Sequence, residues 1–137
     1  MKSLNVSKCF WLLVLCAVVT PLVANYARQS SKATPLLTKD LIGIEGKEAS
    51  MLTVEVPPGV AGAKHRHNAN TFVYMLEGSM VMAVEGGKEV TLNPGDTFYE
   101  SPADIHSVSR NASATKPAKF LVFFVKDKGA PASVPVK

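Results

Sequence analysis

The sequence predicts an all-β domain, built as a sandwich or barrel of about eight short antiparallel strands. The recognisable segments are short and rich in β-branched or aromatic residues, and turn residues separate them at regular intervals. The segments themselves show alternation rather than sustained helical spacing of apolar residues. A chain of 137 residues has room for one domain of ordinary size and not for two with separate cores.

The predicted strands follow one another from residue 36 to residue 126. SMLTVEV precedes the turn PPG, TFVYMLEG ends in a turn at Glu77 and Gly78, and SMVMAVEGG ends at a second turn. KEVTL precedes the turn NPGD, and TFYE, HSVS and KFLVFFV complete the series. The aromatic and methionine side chains of these segments are interpreted as core or dimer-face packing. A linker is predicted at 25–35 and a flexible tail at 127–137.

The first 24 residues have the composition of a secretory signal peptide. Two lysines precede an apolar run of eleven residues, Cys9 to Val19, and small residues follow it. A membrane anchor is the alternative, but the run is shorter than the roughly 20 apolar residues that span a bilayer. Cleavage is predicted after Ala24 or Ala27. We therefore expect a secreted or periplasmic protein with no stable membrane span after cleavage.

The mature chain after residue 24 would contain no cysteine, because Cys9 and Cys16 leave with the signal peptide. Disulfides and thiolate chemistry are then excluded, and a metal site must use nitrogen and oxygen ligands. From Asn25 onward 13 Lys and Arg oppose 11 Asp and Glu, a net charge of +2. These charges are scattered without a basic stripe, so no nucleic-acid partner is expected.

Three histidines are the candidate metal ligands. His65 and His67 are one residue apart, and in an extended strand their side chains point to the same face about 7 Å apart. Such a pair alone is a common surface feature. His106 follows PADI at the start of another predicted strand, from which it can supply a third imidazole.

Two sequence motifs resemble those of the cupin family. The first places a glycine, two histidines, a glutamate and a glycine at spacings matched by Gly59, His65, His67, Thr71 and Gly78, with threonine where the family has glutamate. The second is matched more loosely by Pro102, Ala103, Asp104, His106 and Asn111. The resemblance covers nearly the whole domain and implies a double-stranded β-helix, or jelly-roll barrel.

The resemblance also implies one divalent transition metal, held by His65, His67 and His106. Nitrogen ligands favour Fe, Cu, Ni or Zn over Mg or Ca. With the neutral Thr71 at the glutamate position, the bound ion would keep a net charge of +2, which favours an anionic ligand such as an enolate. Glu100, six residues before His106, is an alternative source of the charge as a ligand or general base. We expect it instead to be a solvated carboxylate at a strand edge.

Two functions from different classes agree with these residues. One is oxygenase-type chemistry on a small aromatic or enolisable compound, as in the quercetin-dioxygenase-like cupins that the chain resembles. The other is a non-catalytic module that binds a small molecule or a metal in a degenerate site. The sequence leaves open whether the chain is an enzyme, and a homodimer is plausible because KFLVFFV is so apolar.

Overall fold

The computed structural model describes residues 29–136, and the predicted signal peptide lies outside them together with both cysteines. All ten secondary-structure elements in this range are β-strands, which confirms the all-β prediction. The ten strands are, in chain order, β1 (Lys32–Asp40), β2 (Lys47–Val56), β3 (His65–Arg66), β4 (Ala69–Glu77), β5 (Met80–Val84), β6 (Val90–Leu92), β7 (Thr97–Glu100), β8 (His106–Asn111), β9 (Ala118–Asp127) and β10 (Val134–Pro135).

The strands form two five-stranded sheets in which all pairs are antiparallel. The first sheet has the order β1-β2-β9-β4-β7 and the second has the order β10-β3-β8-β5-β6. Strands β2, β4, β7 and β9 of the first sheet alternate in sequence with β3, β5, β6 and β8 of the second. The chain therefore crosses repeatedly between the layers, which gives the predicted jelly roll. No helix within residues 29–136 is long and apolar enough to cross a membrane.

The core lies between the two sheets. Strand β9 alternates strictly between buried and half-buried residues, and its Phe120, Val122 and Phe124 face inward. Met75, Met80 and Met82 are fully buried, as predicted for core residues. Burying each such side chain contributes about 1.5 to 3 kcal/mol. Phe72, Tyr74 and Tyr99 lie on the outer face of the first sheet instead and are about half exposed.

Both ends of the domain extend beyond the predicted boundaries. Strand β1 begins inside the segment 25–35 that was predicted as a linker, and it pairs with β2 along its whole length. Every residue of β1 is exposed, so this edge strand lacks the hydrophobic alternation that identifies a strand in a sequence. At the other end, β10 lies inside the predicted tail 127–137 and pairs with β3.

Asn111 is buried at the end of β8, where it ties the end of β2 to the loop between β8 and β9. Its Nδ2 donates to the carbonyls of Val56, Pro57 and Lys116 at 2.9–3.1 Å, and its Oδ1 accepts the N–H of Ser113 at 2.8 Å. The side chain therefore has a structural role in the fold.

Candidate metal centre

Strand pairing brings His65 and His106 together. In the antiparallel pair β3–β8 they are direct partners, so their side chains project from the same face of the second sheet into the barrel. Their ring centroids are 5.0 Å apart. His106 is buried and His65 is half-buried. The third imidazole of the predicted set thus reaches the pair from the neighbouring strand.

His67 lies just beyond β3, which is shorter than the strand predicted to hold both histidines. At Asn68 the backbone adopts a φ of 47°, a left-handed conformation that asparagine tolerates better than most residues. The chain turns there into β4. The ring of His67 packs against Phe124, with centroids 5.1 Å apart, and faces the same interior space as His65.

Two backbone carbonyls determine which ring nitrogens are free. His65 Nδ1 donates to the carbonyl of Ala63 at 2.8 Å, and His67 Nδ1 donates to the carbonyl of Ala132 at 2.6 Å. Since a carbonyl can only accept, each Nδ1 carries the proton in the neutral ring, and each Nε2 keeps its lone pair. The two Nε2 atoms are 3.2 Å apart. Hydrogen bonds of this kind orient histidine ligands around metals in proteins.

The nitrogen atoms of His65, His67 and His106 lie close enough to share one ion. One ligand atom from each residue falls within 4.8 Å of the other two. Atoms bound to one ion at about 2.1 Å are separated by about 3.0 to 3.4 Å when they are neighbours in octahedral or tetrahedral coordination. The Nε2 lone pairs of His65 and His67 point towards each other, and a cation bound between them would remove their repulsion. The histidines therefore fit the implied metal.

Burial keeps the buried imidazoles in the form that binds metals. Burial, together with smaller contributions from the neighbouring His65 and His67, lowers the pKa of His106 to about 4. Burial also lowers the pKa of His67, against the hydrogen bond to Ala132, which raises it. Both rings are therefore neutral at pH 7, with a lone pair available for a ligand bond.

Glu100 is inside the barrel, and the expectation of a solvated carboxylate is wrong. Its exposed fraction is 1%, because it occupies the inward-facing positions of β7 together with Phe98. Burial, together with a smaller contribution from the charge of Asp104, raises its pKa to about 7. Glu100 Oε1 is 3.3 Å from His106 Nδ1 and 3.8 Å from His67 Nε2.

Thr71, at the position of the family glutamate, is also fully buried beside the histidines. Its hydroxyl makes one long hydrogen bond, 3.4 Å, to the carbonyl of Ala69 in its own strand. It contributes no charge to the site. Glu100, the direct strand partner of Thr71, is the buried carboxylate at this place. Its two-residue spacing places it on one face with Phe98, but Tyr99 lies on the other face, so the sequence does not say which face turns inward.

A cavity of about 300 Å³ opens beside the three histidines. Its remaining wall is mostly apolar and includes Leu52, Val54, Met82, Phe120 and Val122. This volume is at the lower end of the range for small-molecule sites, and an apolar wall with a few convergent polar groups is typical of them.

The C-terminal segment forms one side of this cavity, a role that the sequence analysis missed. Lys126, which is buried and paired with Glu48, donates to the carbonyl of Ala130 at 2.6 Å. Ala132 then accepts the His67 bond and lines the cavity, before β10 pairs with β3. On the side of the C-terminal segment, these contacts use only backbone atoms. The identity of its residues therefore gives no sequence signal for them.

The chain has similarities to several solved structures. The protein TT1209 from Thermus thermophilus is 27% identical, with a TM-score of 0.56, over 75% of this chain and 90% of that one. A double-stranded β-helix protein from Klebsiella pneumoniae is 17% identical, with a TM-score of 0.62, over 81% and 88%. The DMSP lyase DddQ from Ruegeria pomeroyi is 24% identical, with a TM-score of 0.57, over 64% of this chain and only 43% of its own length.

Sequence comparison identifies the family. No curated protein matches the chain. The family model for the cupin domain matches residues 52–124, which is more than half of the 137 residues and runs from β2 to β9. That range contains the three histidines, Thr71 and Glu100. The chain belongs to the cupin domain family.

Proposed function

We propose that this chain is a metal-dependent cupin that carries out oxygenase-type chemistry on a small aromatic or enolisable compound, in the manner of the quercetin-dioxygenase-like group. The observation that carries the proposal is the convergence of three histidine side chains on one face of an apolar cavity. Such a site can hold an ion and place a small organic molecule beside it.

His65, His67 and His106 are the proposed ligands, and the donor set favours Fe, Cu, Ni or Zn. A divalent ion of this kind supplies Lewis acidity that stabilises an enolate or phenolate oxygen. The carbonyls of Ala63 and Ala132 hold two of the imidazoles in the ligand tautomer. These hydrogen bonds fix the direction of both rings, which reduces the reorganisation needed for an ion to bind.

The cavity wall supports the choice of substrate class. Its apolar residues, such as Val54 and Phe120, would contact an aromatic or aliphatic body and exclude water from the reacting oxygen. A volume of about 300 Å³ suits a compound the size of one or two rings.

A non-catalytic binding module is the second candidate, and the observation in its favour is Thr71. This buried, neutral side chain stands where the family motif has a glutamate, so the site departs from the usual metal-ligand set. A module of this type would bind a metal or small molecule in the same cavity without turnover. Oxygen consumption with a substrate separates the two candidates.

We also propose that the protein acts outside the cytoplasm, in the secreted or periplasmic space. The support is the order of charged, apolar and small residues in the first 24 positions. The mass of the mature protein recovered from the producing cells tests this, since cleavage after residue 24 or 27 removes a defined mass. An uncleaved chain that remains in the cytoplasm contradicts it.

Elemental analysis of untagged protein tests the metal site. Wild type is compared with His65→Ala/His67→Ala and with Arg66→Ala, whose exposed side chain lies between the two histidines. About one equivalent of Fe, Cu, Ni or Zn is expected in wild type and in Arg66→Ala, and none in the double variant. The absence of metal from wild type after incubation with each ion contradicts the proposal.

Oxygen uptake then tests the chemistry. The metal-loaded protein is screened with phenols and 1,3-diketones, which can form phenolates and enolates. Uptake that depends on His65 and His67 is expected for an oxygenase. Tight binding of such compounds without oxygen uptake would identify the binding module instead.

A further inference from the structure

We infer that Glu100 replaces the missing family glutamate as a fourth, anionic metal ligand that reaches the site from β7 instead of β4. This inference rests on the proposed metal site and adds a ligand to it. Three observations carry it: the pairing register of β4 with β7, the burial of the carboxylate, and its unpartnered position beside the histidine nitrogens.

The register places residues 71 and 100 opposite each other. Thr71 and Glu100 are direct partners in the antiparallel pair β4–β7, so their side chains leave the same face of the sheet with Cβ atoms about 5 Å apart. Their exposed fractions are 0% and 1%. The carboxylate of Glu100 therefore lies in the same interior space that a glutamate side chain at residue 71 would occupy.

The carboxylate of Glu100 makes no hydrogen bond within residues 29–136 and lies beside the nitrogens of two buried histidines. Among the described residues, neither of its oxygens has a hydrogen-bond partner, and neither does either nitrogen of His106. A buried carboxyl group without a hydrogen-bond partner is costly, and so is a buried imidazole without one. One cation between them satisfies the carboxylate and the imidazoles together.

The distances suit shared coordination. Glu100 Oε1 lies 3.8 Å from His67 Nε2, the nitrogen left free by the Ala132 bond, and 3.3 Å from His106 Nδ1. Neighbouring donor atoms that share one ion are separated by about 3.0 to 3.4 Å, so the distance to His106 Nδ1 already lies in this range and the distance to His67 Nε2 exceeds it by about 0.4 Å. Glu100 could instead only support the site by accepting a hydrogen bond from His106, but these two side chains form no hydrogen bond in this structure. With three neutral imidazoles and this carboxylate, a divalent ion would have the net charge of +1 that the family motif also gives.

The test measures the affinity of metal-free protein for Co²⁺ and Zn²⁺ by competition with a chelator, together with the visible spectrum of the Co²⁺ form. Four proteins are compared: wild type, Glu100→Gln, Glu100→Gln/Thr71→Glu, and Glu77→Gln, which removes an exposed carboxylate at the end of β4. Circular dichroism shows that each variant is folded.

We expect Glu100→Gln to raise the dissociation constant about tenfold or more and to change the Co²⁺ spectrum, because a ligand is lost. Thr71→Glu in the same chain should restore most of the affinity, since it supplies the carboxylate across the same strand pair. Glu77→Gln should match wild type.

Two results overturn the inference. One is a Glu100→Gln variant that binds Co²⁺ and Zn²⁺ as tightly as wild type with the same spectrum. The other is a folded double variant that recovers no affinity, which contradicts the register argument. Failure of the metal site itself is distinct, since wild type would then bind neither ion.

Discussion

Gly78, in the turn between β4 and β5, should tolerate substitution by alanine much less well than Gly86 in the next turn. Its φ is +68°, and a Cβ atom at this position would lie 2.4 Å from the carbonyl oxygen of Pro117 and 2.8 Å from Cα of Ala118. Gly86 is a matched control. Its φ is +76°, but an added Cβ would meet no atom within 4 Å.

The magnitudes follow from this difference. Moving alanine into the left-handed region costs about 1 to 2 kcal/mol, and this is the whole expected loss for Gly86→Ala. At Gly78 the new methyl group also collides with backbone, which adds about 1 to 3 kcal/mol because the two strands must separate. Gly78→Ala should therefore lower the free energy of unfolding by about 2 to 5 kcal/mol.

Urea unfolding followed by circular dichroism measures both values in metal-free protein. Subtracting the loss for Gly86→Ala from the loss for Gly78→Ala isolates the collision with residues 117 and 118. Equal losses in the two variants would refute the reasoning, since the backbone conformations match and only the surroundings differ. A larger loss at Gly86 would refute it as well.

Three further predictions concern the rest of the fold and the site. Asn111→Ala should lower the free energy of unfolding by about 2 to 4 kcal/mol, because buried hydrogen bonds to residues 56–57 and to the loop between β8 and β9 are lost. A loss below about 1 kcal/mol in urea unfolding would contradict this role. Removal of residues 130–137 should raise the metal dissociation constant about tenfold, because His67 loses the carbonyl that orients it, and unchanged affinity would contradict the orienting role. In chelator-treated protein, NMR should show His106 taking up its proton near pH 4 rather than near 6.5. An NMR midpoint near 6.5 would instead show that the ring is hydrated and would contradict the prediction. Because the unfolded chain takes up this proton at a higher pH than the folded chain, the contribution of His106 to the stability of the metal-free protein should decline as pH falls from about 6.5 towards 4.

The candidate site was predictable in part. The His-x-His spacing, the second motif and the resemblance together placed three histidines in one group, and the structure brings them together. Burial of Glu100 was not predicted, because a carboxylate in a short strand is usually exposed. Its direction depends on which face of β7 turns inward, and that is decided by pairing with β4.

The sequence by itself determined the fold class and most of the strands, because alternation of apolar residues and turn residues are local properties of the chain. It also identified the three histidines as candidate metal ligands. Only the tertiary structure decided the roles of β1 and of the segment after Asp127, since both are held by backbone hydrogen bonds that any residue can make. The same holds for the apposition of Thr71 and Glu100, because register between distant strands is a property of the folded sheet.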